Sequence, residues 1–219
     1  AQYGIVVGSH ILQINDIKEE RFNPMGVSDE ELAALQAKKF AVMNDAVGEK
    51  MQERILQAKS ELNSVGGVIE AIALHLPAGI GAPYFDSVES MLSHALFSVP
   101  AVKGVEFGDG FGFAGLTGAE ANDALHYADG KVQALTNHNG GITGGITNGM
   151  PLVVRVAIKP TPSIAREQQT VSLKEQADTT LAIVGRHDPC IVQRAVPVIE
   201  AVVAWTLWDL LLEAKKWEK

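Results

Sequence analysis

The sequence predicts an α+β fold: one layered domain over residues 1–219 with a mainly antiparallel sheet. Three observations predict it. Strand-like and helix-like segments follow one another without the regular spacing of βαβ units. Glycine-rich turns of hairpin type, above all "GGITGGIT" at Gly140–Thr147, sit between short β-branched segments. The segment from Pro189 toward Lys215 is apolar almost all round, which predicts a central helix.

The elements follow in order. Gln2–Ile14 is rich in Ile and Val and reads as a strand. "SDEELAALQAKKF" opens with Ser28 and has Glu31 three residues later, a capping box that predicts a helix to about Phe40. Met51, Ile55, Ala58 and Leu62 recur at helical spacing, with Gly66-Gly67 as the expected stop. Val68–Leu76 reads as a strand and "PAGIGAP" as a loop. Val88, Met91, Leu92, Ala95, Leu96 and Val99 form an amphipathic helical series behind Asp86. "VKGVEF" is a short strand, and Gly108–Gly149 is glycine-rich and irregular. In "PLVVRVAIK", Leu152, Val154, Val156 and Ile158 share one face of a strand, with Arg155 and Lys159 on the other. "AREQQTVSLKEQADTT" reads as a polar surface excursion. Nothing marks a domain boundary.

Composition narrows the function. A chain of 219 residues that is 47% hydrophobic and 20% charged buries a substantial core and is not disordered. A net charge of -8 with no Lys/Arg cluster argues against a nucleic-acid partner. One cysteine makes no internal disulfide, and there is neither CxxC nor HExxH, so no metal is expected and the usage fits a reducing cytoplasm. The start "AQYGIVVGSH" lacks the charged region of a signal peptide. It opens directly into a strand-like run, as a processed end or a piece of a longer protein would. Ala195–Leu212 is interrupted by Pro197, Glu200 and Asp209, which favours a core helix over a membrane span.

Three stretches can carry chemistry. "TNHNGGITGGITNG", Thr136–Gly149, is either a backbone cradle for a ligand or a loop between sheet edges; it is neither GxGxxG nor a Walker loop. "KPTPSI" places the Lys159 charge beside the hydroxyls of Thr161 and Ser163, on a turn stiffened by Pro160 and Pro162. That set suits an anion, or else simply ends a strand. "GRHDPC" offers Asp188 as N-cap with Pro189 at the first helical position, or, with Arg186, an anion site and an acid/base at a helix start. Cys190 reads as core and His187 as structural.

Taken together and in this order, "NHNGGITGGITNG", "VRVAIKPTPSI" and "GRHDPCIVQRAVPVIEA" resemble the C-terminal part of the chorismate synthase family. "LPAGIGAP" and "HALFSVPAVKGVEFGDGF" resemble it upstream, so that the resemblance runs from about Gly66 to Leu212. It implies a β-α-β sandwich, with helices layered between mainly antiparallel β-sheets, that is incomplete in this chain. It implies a cytoplasmic homotetramer, no membrane, and an FMN-dependent anti-1,4-elimination of phosphate from 5-enolpyruvylshikimate 3-phosphate to give chorismate. The flavin is used reduced, with NADPH or an outside source as reductant.

By this resemblance, Lys159, Pro160, Thr161, Pro162 and Ser163 match the family loop that holds FMN. Pro100 and Ala101 match a further flavin-contacting pair, although a polar residue is more typical at the first position. Gly144 matches a flavin-contacting glycine, Arg186 an arginine among the flavin and substrate-phosphate ligands, and Asp188 an aspartate that helps move a proton. The family carries two catalytic histidines and several substrate-binding arginines in an N-terminal region that precedes the start of this chain. The chain is therefore expected to be either part of a working enzyme, truncated at its N-terminus, or an inert fragment that keeps the family core to oligomerise or bind anions weakly.

Overall fold

The computed structural model describes residues 3–128, 130–185 and 187–215. Its centre is a five-stranded sheet in which every pairing is antiparallel, as expected. The strands are β1 (Val6–Ile14), β2 (Ile17–Lys18), β3 (Gly67–Leu74), β4 (Val102–Phe107) and β9 (Leu152–Ile158), in the order β2-β1-β3-β9-β4. Between β4 and β9 the stretch expected to be irregular forms two hairpins, β5 (Leu125–Ala128) with β6 (Lys131–Ala134) and β7 (Ile142–Thr143) with β8 (Ile146–Thr147). The expected polar excursion is a third hairpin, β10 (Gln168–Ser172) with β11 (Ala177–Leu181). Four helices complete the fold: α1 (Asp29–Gln36), α2 (Asp45–Ser60), α3 (Val88–Phe97) and α4 (Val192–Lys215).

Strand alternation divides the sheet into two faces. On one, Ile11, Ile69, Ala71, Val154, Val156 and Ile158 meet Leu92 and Leu96 of α3 and Val196, Ile199, Val203 and Leu207 of α4. On the other, Ile72, Leu74 and Val153 meet Phe22 and Leu32 and Leu35 of α1. The alternation read from "PLVVRVAIK" is borne out by these two clusters.

Local chemistry explains the helix ends. The Ser28–Glu31 capping box is present in both directions. Asn44 caps α2, and its side chain accepts from Ala46 N–H and Val47 N–H. Ser87, rather than Asp86, caps α3. The α2 helix stops at Ser60, before the glycines expected to end it, and Leu62 turns the chain at φ 56. Gly67 is instead the first residue of β3.

The last helix departs from expectation at both its start and its surroundings. It begins at Val192, because the carbonyl of Pro189 accepts from Val65 N–H at 2.8 Å and so is not available to a helical turn. It buries one side only. Val198, Trp205, Trp208 and Leu212 remain exposed, since a single sheet packs on it among the described residues. By length and composition α4 is long and apolar enough to cross a membrane; here it packs across β1 and β3.

Candidate active site

The strand register brings the Pro100–Ala101 pair and the Lys159 loop together. Val102, at the start of β4, pairs with Ile158, at the end of β9. The residue before one strand therefore sits beside the residue after the other, and Lys159 N–H donates to the Ala101 carbonyl at 2.9 Å. Ala101 holds φ 74, a region that disfavours residues with a Cβ, and Pro100 before it is exposed.

The loop that follows is fixed from below. Ser64 Oγ donates to the Thr161 carbonyl at 2.6 Å, and Gln168 Nε2 donates to the Pro162 carbonyl at 3.0 Å. A side chain at Gly66 would lie 2.3 Å from the Ile158 carbonyl oxygen and 2.9 Å from the Pro160 nitrogen, so only glycine lets the chains pass this closely. Lys159 and Pro160 are exposed, and Ser163 is half-buried. Thr161 Oγ1 is buried and has no hydrogen-bond partner among the described residues. A buried hydroxyl is normally satisfied, so this one is a group waiting for a partner.

The segment after α2 ties in the third stretch. Ser64 holds Thr161, and the next residue, Val65, donates to Pro189. Asp188 thus lies at the same end of the sheet as the Lys159 loop. Its carboxylate is half-exposed, and Oδ2 pairs with Arg194 Nη1 at 2.9 Å, one turn into α4. The expected capping role for Asp188 is corrected: the first helical turn is closed by the Ile191 carbonyl, which accepts from Arg194 and Ala195 N–H. Arg186 lies outside the described residues. A cleft of about 190 Å³ opens beside Asp188, lined by Lys59, Asn63, Ile164, Ala165 and His187 among others.

His187 and Cys190 have other roles. The His187 ring nitrogen Nε2 lies 3.2 Å from the Ile183 carbonyl. Cys190 is buried, and burial pushes its thiol above the ordinary value, the reverse of what a nucleophile needs.

Gly144 is not part of this cluster. It occupies the two-residue turn between β7 and β8, with φ 63 followed by φ 85 at Gly145. That hairpin packs at the N-terminus of α3, where Val88 N–H donates to the Gly145 carbonyl at 3.0 Å. Ala101 follows the C-terminus of the same ten-residue helix, so roughly 15 Å of helix separates the two positions. Open space surrounds Gly144, with nothing within 4 Å of a built Cβ. Thr143 beside it lines a broader depression of about 990 Å³ under the β5–β6 hairpin, together with Asp123, Asn139 and Asn148.

Two constellations were not read from the sequence. The first is a row of charges across the α1 side of the sheet, the face that carries Ile72, Leu74 and Val153. His10, Glu70, Arg155 and Glu106 are register partners on β1, β3, β9 and β4. His10 lies 3.1 Å from Glu70 and 3.3 Å from Glu19; Arg155 lies 3.2 Å from Glu70 and 2.5 Å from Glu106, and also donates to the Gly108 carbonyl. Burial opposes charge on His10, but its hydrogen bonds to Glu19 and Glu70 outweigh burial and hold its pKa above the ordinary value. Burial likewise works to raise Glu70, yet bonds from His10, from Phe22 N–H and from Arg155 leave it lowered. A lone charge in each of three apolar strands was the available signal. The second constellation is His138 Nδ1 against Asp109 Oδ2 at 2.6 Å, which clamps the glycine-rich loop to the end of β4.

The protein is thus an α+β scaffold that gathers a lysine, hydroxyls and a carboxylate on loops at one sheet end. The comparisons with known proteins are more specific. The family model described as chorismate synthase matches residues 1–212. The chorismate synthase of Thermococcus gammatolerans is 46% identical over 217 residues, covering 99% of this chain and 59% of the relative. That of Pyrococcus abyssi is 43% identical over 217 residues, again 99% and 59%. A crystal structure of chorismate synthase superposes with a TM-score of 0.77 at 29% identity, over 97% of this chain and 58% of that one. The chain belongs to the chorismate synthase family. It spans about three fifths of the length of the curated relatives it matches. The match also takes in the first 65 residues, upstream of the motifs that carried the resemblance.

Proposed function

We propose that this chain carries part of the active site of a chorismate synthase, which eliminates phosphate from 5-enolpyruvylshikimate 3-phosphate in an anti-1,4 sense to give chorismate. One observation carries the reading: the Pro100–Ala101 turn, the Lys159–Ser163 loop and Asp188, far apart in sequence, meet at one sheet end. Each of them matches a flavin-site position of the family.

The residues present fit a flavin. Thr161 Oγ1 is a buried donor without a partner among the described residues, and Lys159 is an exposed cation on a loop pinned by two prolines. Lys159, Thr161 and Ser163 would hold it, with the backbone of Pro160 and Pro162 shaping the loop and Ala101 at its edge. Reduced FMN, when bound, supplies the electron-rich partner that the elimination requires without net oxidation. Arg186 would place positive charge where the leaving phosphate develops its own. Arg194 occupies Oδ2 of Asp188, which leaves Oδ1 as the atom that holds or passes a proton. Gly144, at the other end of α3, would contact flavin only from a second copy or across a large ligand.

The chain's share of its relatives' length supports a second reading, of a part-site inactive by itself. The exposed apolar strip of α4, with Trp205 and Trp208, is what an assembling subunit presents and supports a homotetramer. A lone cysteine supports a cytoplasmic setting. NADPH is a candidate reductant.

The test supplies reduced FMN and the phosphorylated substrate without oxygen, with and without the remaining two fifths of a family relative added in trans. Phosphate release only with the added segment is the expected result. Release by the chain alone sinks the part-site reading. No release from a folded, completed sample sinks the activity.

A further inference from the structure

We infer that the turn at the end of α2, through Lys59 and Asn63, forms a phosphate-binding wall of the site, facing Asp188 across the cleft. The inference rests on the flavin-enzyme reading above, and it concerns residues that no motif of the resemblance includes.

The turn is held in place by the site itself. Ser64 Oγ donates to the Thr161 carbonyl, and Val65 N–H donates to the Pro189 carbonyl. Lys59 and Asn63 therefore move with both candidate loops. Lys59, Leu62 and Asn63 line one side of the cleft; Ile164, Ala165 and the His187–Pro189 segment line the other. At about 190 Å³ it is smaller than the roughly 300 Å³ at which whole-ligand pockets begin. It suits one group of a ligand, such as a phosphate and its ester arm.

Charge and hydrogen bonding agree on the sign. Lys59 is exposed and pairs with no carboxylate among the described residues. Asn63 Oδ1 accepts from Ser64 N–H at 2.9 Å, which leaves its amide N–H groups as donors. The one carboxylate in the wall, Asp188, is offset by Arg194 at 2.9 Å. His187 is turned away, with Nε2 3.2 Å from the Ile183 carbonyl. A dianionic phosphate monoester meets here a point charge and fixed donors against apolar walls. Lys59 also lies in the last turn of α2, where a cation suits the helix dipole. That role alone would not discriminate between a phosphorylated and an unphosphorylated ligand.

FMN and the phosphorylated substrate are both phosphate monoesters, and the test separates them. Quenching of flavin fluorescence is titrated with FMN and with riboflavin, which lacks the phosphate, for the 219-residue chain and its Lys59→Gln, Lys59→Arg and Asn63→Ala variants. 5-enolpyruvylshikimate 3-phosphate and its dephosphorylated form are titrated calorimetrically on the same proteins. Lys59 is on the surface, so circular dichroism should show every variant folded. The expected result is a loss of about tenfold or more for Lys59→Gln toward one phosphorylated ligand, with its unphosphorylated counterpart unchanged and Lys59→Arg retaining most of the affinity. Loss toward FMN assigns the wall to the cofactor; loss toward the substrate assigns it to the leaving group. Equal affinity of Lys59→Gln and the parent for both phosphomonoesters overturns the inference and leaves the flavin reading standing. A folded parent chain that binds neither flavin nor substrate even with the remaining two fifths of a family relative added in trans overturns both.

Discussion

The same side chains occur in two parts of this molecule to opposite effect. Across the α1 side of the sheet, His10, Glu19, Glu70, Arg155 and Glu106 are all paired, most of them fully buried. At the sheet end near Lys159, His187 and Asp188 are half-exposed and Arg194 is exposed, and Asp188 keeps a carboxylate oxygen outside its ion pair. Pairing on both sides leaves a group no capacity to take a ligand or exchange a proton with one. The row therefore fixes strand register, whereas the cleft retains groups that can act. The largest effect on this contrast should come from Arg155→Ala. It strands Glu106 without its cation and leaves Glu70 with His10 alone, and breaking a buried pair in this way costs about 3–5 kcal/mol. Denaturant unfolding should show most of the domain's stability lost. A midpoint near that of the parent would mean that the row is dispensable.

The cleft should behave in the opposite way when its carboxylate is changed. Because Asp188 caps no helix and its ion pair is surface-exposed, Asp188→Asn should shift stability by less than about 1 kcal/mol. In the completed enzyme the same change should lower turnover about 100-fold, the scale of a lost acid/base group. Turnover near the parent's would remove Asp188 from the chemistry.

How far the sequence disclosed each region follows from the range of the interactions. The β9 alternation and the Ser28–Glu31 box depend on residues within a few positions of each other, and both were legible. The charge row depends on three strand registers at once. Glu70 and Arg155 read only as isolated charges, and their partnership with His10 appears when β1, β3 and β9 align. Asp188 reads as a cap because Asp-Pro starts helices; the bond from Val65 that delays the helix to Val192 is a tertiary event. The β10–β11 hairpin was read as an excursion because β11 is exposed along its whole length and so shows no apolar alternation. The Lys159 loop, Asp188 and Gly144 stand out by motif alike, and only the fold shows that α3 lies between Gly144 and the other two.

A smaller effect distinguishes the two regions by pH. His10 is raised, so its contribution is fully present below the ordinary histidine range and is lost as pH climbs through its folded value. Glu70 is lowered, so its contribution is present above the ordinary glutamate range and is lost as pH falls through its folded value. Unfolding free energy should therefore decline on both sides of a plateau at mildly acidic to neutral pH. His10→Gln should flatten the alkaline decline specifically. An unchanged alkaline slope in that variant would assign the decline to other groups.

The smallest effect, and the finest test of the contrast, is at Arg194. In the buried row an arginine is structural; here it is 69% exposed and pairs with the half-exposed carboxylate of Asp188. Arg194→Gln should leave the unfolding midpoint within about 1 kcal/mol of the parent. A positioning role predicts a turnover loss of about fivefold, smaller than for Asp188→Asn because the carboxylate remains and only its orientation is released. That loss should fall on kcat more than on KM, with Arg194→Lys restoring most of the rate. A uniform rise in KM with kcat unchanged would make Arg194 a ligand contact instead. No change in either would mean that Arg194 does not position Asp188, and that its ion pair, unlike those of the buried row, is dispensable.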